Sequence, residues 1–355
     1  MAKLRRVTRH ALLAAGLCGV SGCAHHHAKP RTPAPSASAA ASAPTPRAAA
    51  RWCDSVPHPA FQALQRVPVR TGWFLVYAVD PGVFAITEPY QVQKVISYLI
   101  VGTDRALLFD TGLGIGSISA VVRELTPLPV LVLNSHTHYD HVGGNAEFDH
   151  ILARDTPYTA ANTRGFPHQE LAGEVGPDAL CRPLPAGFDS ASFQTRPYTP
   201  TERVADGSSI ELGGRTLEVL ETPGHTPDAV ALVDRAAGLL WTGDSFYEGT
   251  IWLVVPETDL DAYARSVDRM AALVPSLRKV LGAHTVAVSD PRKLLALKAA
   301  IAQVRAGRAR GADREGDRVH FSFDGFSLLV AKPLLSGRHG DRTKGGSGLF
   351  TAWPK

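Results

Sequence analysis

Hydrophobic positions change their period several times along this chain. Trp73-Phe74-Leu75-Val76-Tyr77 and Val83-Phe84-Ala85-Ile86 are rich in β-formers and are separated by Asp80-Pro81-Gly82, so they predict two strands joined by a turn. Ile96 to Val101 and Ala106 to Phe109 flank Gly102-Thr103-Asp104-Arg105 and predict a further hairpin. A helix is expected from about Ser117 to Leu125, and Pro129 to Leu133 reads as a short buried strand. Farther on, Ile210 to Leu212 and Thr216 to Leu220 flank Gly213-Gly214 as a hairpin. Ala229 to Val233, Leu239 to Thr242 and Lys279 to Leu281 read as three more strands. Leu260, Tyr263, Val267 and Met270 recur at helical spacing and predict a helix from Asp259 to Leu273. Ser289-Asp290-Pro291 predicts the start of another, running to Arg305 with Gly307 as its stop. Val319 to Val330 alternates as one strand. Strands interleaved with helices in this way give a layered α/β architecture.

His150 to Arg203 breaks the pattern. It is rich in Gly, Pro, Asn and Asp, with room for a short helix between Ala160 and Ala172. A long loop-rich insertion in an enzyme domain is usually a lid or a binding wall. Phe193 and Tyr198 are its candidate pocket walls, and His168 reads as a solvated surface histidine.

The chain begins differently. Lys3, Arg5, Arg6 and Arg9 precede an apolar run from Ala11 to Val20, roughly ten residues and too short to span a bilayer. A basic head and a short apolar run form a secretory signal. Val20-Ser21-Gly22-Cys23 resembles a bacterial lipobox, which implies lipidation of Cys23 after removal of residues 1–22; a plain signal peptide cut nearby is the alternative. Ala24 after the cysteine resembles the outer-membrane sorting pattern, so the expected address is the periplasmic side of the outer membrane. Residues 23–50, dominated by Ala, Pro and Ser, cannot bury enough surface to order themselves and read as a tether. The catalytic domain is expected over 51–335, and 336–355 reads as a loose polar tail. Cys53 and Cys181 are the two cysteines left to the folded part. An exported compartment permits their pairing; two separate thiols are the alternative.

Losing the head, with its four basic and no acidic residues, takes the formal net charge from +4 to about zero. A nucleic-acid partner normally needs a strong basic excess, so a small-molecule substrate is expected, with membrane contact through Cys23 alone. Gly112, Gly114 and Gly116 lack the spacing of a phosphate loop and read as a tight turn. No Gly-x-Ser-x-Gly elbow occurs.

The densest chemistry lies in Asn134-Ser135-His136-Thr137-His138-Tyr139-Asp140-His141-Val142-Gly143-Gly144, where a strand ends and a loop begins. His136 and His138, two apart in extended chain, point to the same side. Neutral imidazole is the commonest metal ligand, and three protein ligands with an open position mark a catalytic zinc. Asp140 and His141 are placed for a second metal.

This run resembles the signature of the metallo-β-lactamase superfamily. Thr222-Pro223-Gly224-His225-Thr226, Trp241-Thr242-Gly243-Asp244 and Leu281-Gly282-Ala283-His284 supply the later motifs in order, and Leu107-Leu108-Phe109-Asp110-Thr111-Gly112 resembles the strand and turn that support the site. The resemblance implies an αββα sandwich with metals at one edge of two facing sheets. It implies that His136, His138 and His225 bind one ion, that Asp140, His141 and His284 bind the other, and that Asp244 bridges them. The ions would be two Zn2+, with Mn2+ or Fe2+ suited to the same donors. A hydroxide bridging the zinc ions would then attack a carbonyl carbon, with Asp140 handling its proton. Tyr247, three residues after Asp244, resembles a tyrosine of the lactonase branch and is expected to hydrogen-bond the substrate carbonyl; packing with Phe246, Trp241 and Trp252 in an aromatic wall is the alternative. A carboxylic ester or lactone is therefore the expected substrate. A β-lactam, a thioester of the glyoxalase II type and a non-enzymatic binding lipoprotein are the alternatives.

Overall fold

The computed structural model describes residues 52–336 apart from Glu315. The expected signal segment and tether, and the tail beyond Ser336, lie outside the described residues.

Eight strands form the first sheet in chain order: β1 (Gln65–Val67), β2 (Leu75–Asp80), β3 (Val83–Thr87), β4 (Ile96–Val101), β5 (Ala106–Phe109), β6 (Val130–Leu133), β7 (Ile151–Arg154) and β8 (Glu202–Val204). Neighbours are antiparallel as far as β5 and parallel from β5 to β8. The switch follows from the connections: β5 reaches β6 through helix α1 (Ile118–Leu125), capped by the Ser117 hydroxyl, which accepts from the Ala120 amide at 3.3 Å. Three short helices follow β6: α2 (Tyr139–Val142), α3 (Pro157–Asn162) and α4 (His168–Leu171).

The second sheet draws on β9 (Ser209–Glu211), β10 (Thr216–Glu221), β11 (Val230–Asp234) and β12 (Leu239–Gly243). After β13 (Thr250–Leu253) and helix α5 (Leu260–Ala272), β14 (Lys279–Gly282) completes it in the order β14-β12-β11-β10-β9. Helix α6 (Lys293–Arg305) leads to β15 (Ala312–Arg314), β16 (Arg318–Ser322) and β17 (Ser327–Ala331), which with β13 form a third sheet ordered β13-β17-β16-β15; α7 (Lys332–Leu335) follows.

Burial assigns the layers. Tyr98, Ile100, Leu107 and Phe109 of the first sheet meet Leu217, Val219, Leu232 and Trp241 of the second in one core. On the outer face of the first sheet, Val76, Leu99 and Leu108 pack with Ile118, Val121 and Val122 of α1. On the outer face of the second, Val233, Leu240 and Val280 pack with Tyr263, Val267 and Met270 of α5 and with Leu294, Leu297 and Ile301 of α6. This is the αββα sandwich. Both faces of each sheet are covered, which is why runs such as Ile96 to Val101 are apolar without alternation.

Three expectations change. Val319 to Val330 is two strands, β16 and β17, because Asp324-Gly325 turns the chain between them, with Gly325 at φ +82°. The insertion starts and ends in regular structure: β7 and β8 extend the first sheet by two strands too short to show a period. Helix α6 starts at Lys293, later than the proline signal suggests; the Asp290 carboxylate instead accepts from the Arg292 amide at 2.8 Å in the turn before it.

Cys53 and Cys181 form a disulfide, with Cα atoms 5.4 Å apart and 128 residues between them in sequence. It ties the first described segment to the insertion, beside the Cys181 amide that donates to the Tyr90 carbonyl at 2.8 Å. Closing so long a loop removes much unfolded-state entropy. Cys53→Ser should lower the free energy of unfolding in urea by about 3 kcal/mol. An unchanged unfolding midpoint in non-reducing buffer would show that the link does no such work.

Candidate metal centre

Four chain segments meet at one edge of the sandwich: the turn after β6, the turn between β10 and β11, the end of β12 and the end of β14. They bring His136, His138, Asp140, His141, His225, Asp244 and His284 together, all buried. One potential ligand atom from each of His136, His138 and His225 lies within 4.8 Å of the others, and Asp140, His141 and His284 form a second such group. His136 Nε2 is 2.9 Å from His138 Nδ1, and His225 Nε2 is 3.2 Å from the same nitrogen. Asp244 faces both groups. Its Oδ1 lies 3.0 Å from His284 Nε2 and 3.5 Å from His141 Nε2, and its Oδ2 lies 3.6 Å from His225 Nε2. Asp140 Oδ2 lies 3.6 Å from His141 Nε2 and 3.7 Å from His284 Nε2.

The outward nitrogens of these rings are held by fixed groups. His225 Nδ1 donates to the Trp252 carbonyl at 2.7 Å, His284 Nδ1 to the Gln93 carbonyl at 2.7 Å, and His141 Nδ1 faces Asp110 Oδ2 at 3.1 Å. Each such bond fixes the tautomer that leaves the Nε2 lone pair aimed inward. Asp110 also accepts from the Ser135 amide at 2.7 Å and adopts φ +67°, a left-handed backbone that its bonds must hold in place. Asp228 joins two ligand loops: it accepts from Thr137 at 2.6 Å, beside His136 and His138, and from Thr226 at 2.7 Å, beside His225. Burial raises its carboxyl above the usual range, against the pull of those hydroxyls. The late histidine is set by a cross-sheet contact: the buried Tyr98 hydroxyl shares its one proton between the Gly282 and Ala287 carbonyls, 2.7 and 2.8 Å away.

Two of the glycines under this cluster show why no other residue fits there. Gly243 has φ +53°, and a Cβ on it would lie 2.4 Å from the Ser135 Cβ. Gly112 has φ +68°, and a Cβ there would lie 2.1 Å from Glu88 Oε2. Glu88 is itself buried, accepts from Trp73 Nε1 at 2.8 Å and the Leu113 amide at 2.9 Å, and is pushed by burial to about 7.

The electrostatics differ between the two groups. Burial, then neighbouring imidazoles, hold His136 and His138 well below the usual histidine range, and burial lowers His225. Burial also opposes charge on His141, but Asp140, Asp110 and Asp244 outweigh it and push the imidazole up to about 10. His284 is raised by Asp244 against the same burial. Despite its burial, Asp244 is held well below the carboxylate range by His284 and His141. Among the described residues, His141 Nε2 is buried with no hydrogen-bond partner. Three neutral imidazoles with converging lone pairs, an orphaned buried nitrogen and two carboxylates make an all-N/O donor set that fits divalent cations.

A cavity of about 110 Å³ opens above the cluster, walled by His138, Asp140, His225, Asp244, Tyr247 and His284 among others. Tyr247 stands in this wall with its ring centroid 4.8 Å from that of His284, but its hydroxyl donates to the Thr250 carbonyl. The hydroxyl that the resemblance assigns to a substrate carbonyl thus donates to the backbone here, and the ring's contact is with the candidate ligand His284. Phe193 and Tyr198 are likewise not pocket walls; both are buried in the outer core of the first sheet, Phe193 against Phe188. His168 is half-buried, its Nδ1 3.1 Å from the Phe193 carbonyl. The insertion supplies Glu174 instead, whose carboxylate accepts from Tyr139 at 2.9 Å and Gln91 at 2.7 Å. Nothing in the periodicity singles out Glu174, Asp110 or Asp228, since each acts through contacts distant in sequence.

The family model described as "Metallo-beta-lactamase superfamily" matches residues 92–284, more than half of the chain. Among curated relatives, the chain is 29% identical over 225 residues to acyl-coenzyme A thioesterase MBLAC2 of Gallus gallus, covering 60% of this chain and 80% of that protein. It is 28% identical over 216 residues to atrochrysone carboxyl ACP thioesterase of Aspergillus chevalieri, covering 60% of this chain and 56% of that protein. Among solved structures, the stereoselective inverting sec-alkylsulfatase Pisa1 from Pseudomonas sp. superposes with a TM-score of 0.50 at 18% identity, over 65% of this chain and 42% of that one. At that identity the likeness concerns the fold alone.

Proposed function

The chain belongs to the metallo-β-lactamase superfamily, and from that membership and the geometry of its pocket we propose that it is a metal-dependent acyl hydrolase working with two zinc ions. The observation that carries the reading is Asp244, whose two oxygens face different ligand groups. His136, His138 and His225 would hold one ion, Asp140, His141 and His284 the other, and Asp244 both. Bound there, the ions supply an acidified water and polarise a carbonyl oxygen. The protein's own contribution is arrangement and proton handling. Asp140 borders the cavity and is placed to take the proton of an attacking water and pass it to the leaving group. The carbonyls of Trp252 and Gln93 and the carboxylate of Asp110 keep the rings oriented throughout.

Two observations bear on the bond cleaved. The Tyr247 hydroxyl donates to the Thr250 carbonyl here, which weighs against the donor that favoured a lactone. Relatives named as thioesterases favour a thioester. We therefore place a thioester first, a carboxylic ester or lactone second and a β-lactam third. Matched acyl thioesters, oxoesters, lactones and β-lactams offered to the metal-loaded protein decide the order. β-Lactam opening faster than every acyl ester and thioester would overturn it.

We also propose export as a lipoprotein, on the strength of Val20-Ser21-Gly22-Cys23 and the basic head. Mass spectrometry of the membrane fraction should find a lipidated Cys23 as the first residue, and an unmodified N-terminus would refute the assignment.

A further inference from the structure

The cavity has two unlike sides. Gln93, Tyr139 and Glu174 form a hydrogen-bonded side, and Trp252, Val254, Val255 and Arg318 form the other. Trp252 and Arg318 of the second side come from the third sheet, and Val254 and Val255 follow its strand β13. Trp252 pairs with Leu329, Leu329 with His320, and Arg318 with Ala331. Alternation along these strands sends Ile251, Leu253, Leu328, Val330 and Phe321 into the core behind the sheet. Trp252 and Arg318 therefore emerge together on the opposite face, toward the cavity. The Arg318 guanidinium lies 5.9 Å from the Trp252 ring centroid, a cation–π contact that steadies its head.

Arg318 is half-buried, and no ion pair among the described residues includes it. A guanidinium braced by an aromatic ring, facing a reaction cavity and paired with no acid among the described residues, is a recognition element for carboxylate or phosphate.

We propose that Arg318 determines specificity by binding an anionic group, carboxylate or phosphate, that the substrate carries away from its reacting carbonyl. Trp252 and Val255 would line the apolar stretch between. Describing the ligand as a substrate rests on the acyl-hydrolase reading; the anion site itself does not.

The test uses the full-length, metal-loaded protein and its Arg318→Gln variant. Calorimetric titration compares straight-chain dicarboxylates of increasing length with monocarboxylates of the same length, and with acids ending in phosphonate. Every probe offers one carboxylate to the metal centre, and only the dianions offer a second group. At the best length the parent should prefer the dianion by about tenfold, and Arg318→Gln should bring that ratio near one. Whether carboxylate or phosphonate gives the larger ratio tells which anion the site takes. Aryl esters of the same acids should show the preference in KM. A parent with no dianion preference at any length, or a variant that keeps it, would overturn the proposal. A preference in binding that Arg318→Gln abolishes, with no ester or thioester turned over, would uphold the anion site and remove the acyl-hydrolase reading.

Discussion

Asp244→Ala should leave the protein folded and lower acyl turnover by on the order of a thousandfold or more, the scale of losing a group that acts with others as a unit. The size follows from position. Asp244 alone among the ligand candidates points one oxygen at His141 and His284 and the other at His225. It is also the negative charge closest to His284, so its loss removes a counter-charge from a buried group as well as a ligand. Asp244→Asn keeps the volume and one oxygen, and should fall between variant and parent in zinc content. Kinetics, elemental analysis and circular dichroism on the same preparations separate the outcomes. A native spectrum with lost metal and lost turnover is expected. Turnover above a tenth of the parent in Asp244→Ala would show that the site works without the bridge.

The fold and the cluster were legible in the sequence for a shared reason. Sheets covered on both faces give largely apolar strands, and four of them end at ligand motifs, so Leu133, Leu220, Thr242 and Leu281 mark the edge where His136, His225, Asp244 and His284 collect. What stayed hidden depends on pairs distant in sequence. Asp228 matters because folding brings Thr137 and Thr226 to it, and Arg318 because β16 pairs with β17 and β17 with β13. Tyr247 shows the opposite limit: spacing placed it correctly in the pocket wall, but spacing says nothing about which acceptor takes its proton. Phe193 and Tyr198 misled for a similar reason. Large aromatics in a loop-rich segment are as readily its own small core as a binding wall, and here they join the outer core of the first sheet.

Removing the metal should change both activity and the pH dependence of stability. Dialysis against a strong chelator should abolish turnover, and about two equivalents of zinc should restore it. In the metal-free protein, protons take over part of the cations' role. His141 titrates at about 10 in the folded state against 6.5 for an ordinary histidine, because three carboxylates outweigh the cost of its burial. A raised folded value contributes stability that is complete below 6.5 and is lost as pH rises towards 10. His284, also raised, adds to the same loss. His136 and His138 work in the other direction: held well below 6.5 by burial, they contribute stability above that value and lose it as pH falls. The metal-free protein should therefore be most stable near pH 6.5 and weaken on both sides. The zinc-loaded protein should lack the alkaline loss, since deprotonated ligands are the form a cation binds. Thermal unfolding of both forms between pH 5 and 10 measures this directly. Coincident stability curves for the chelated and zinc-loaded protein would mean that no cation occupies the cluster in solution, and would remove the metal from the proposed function.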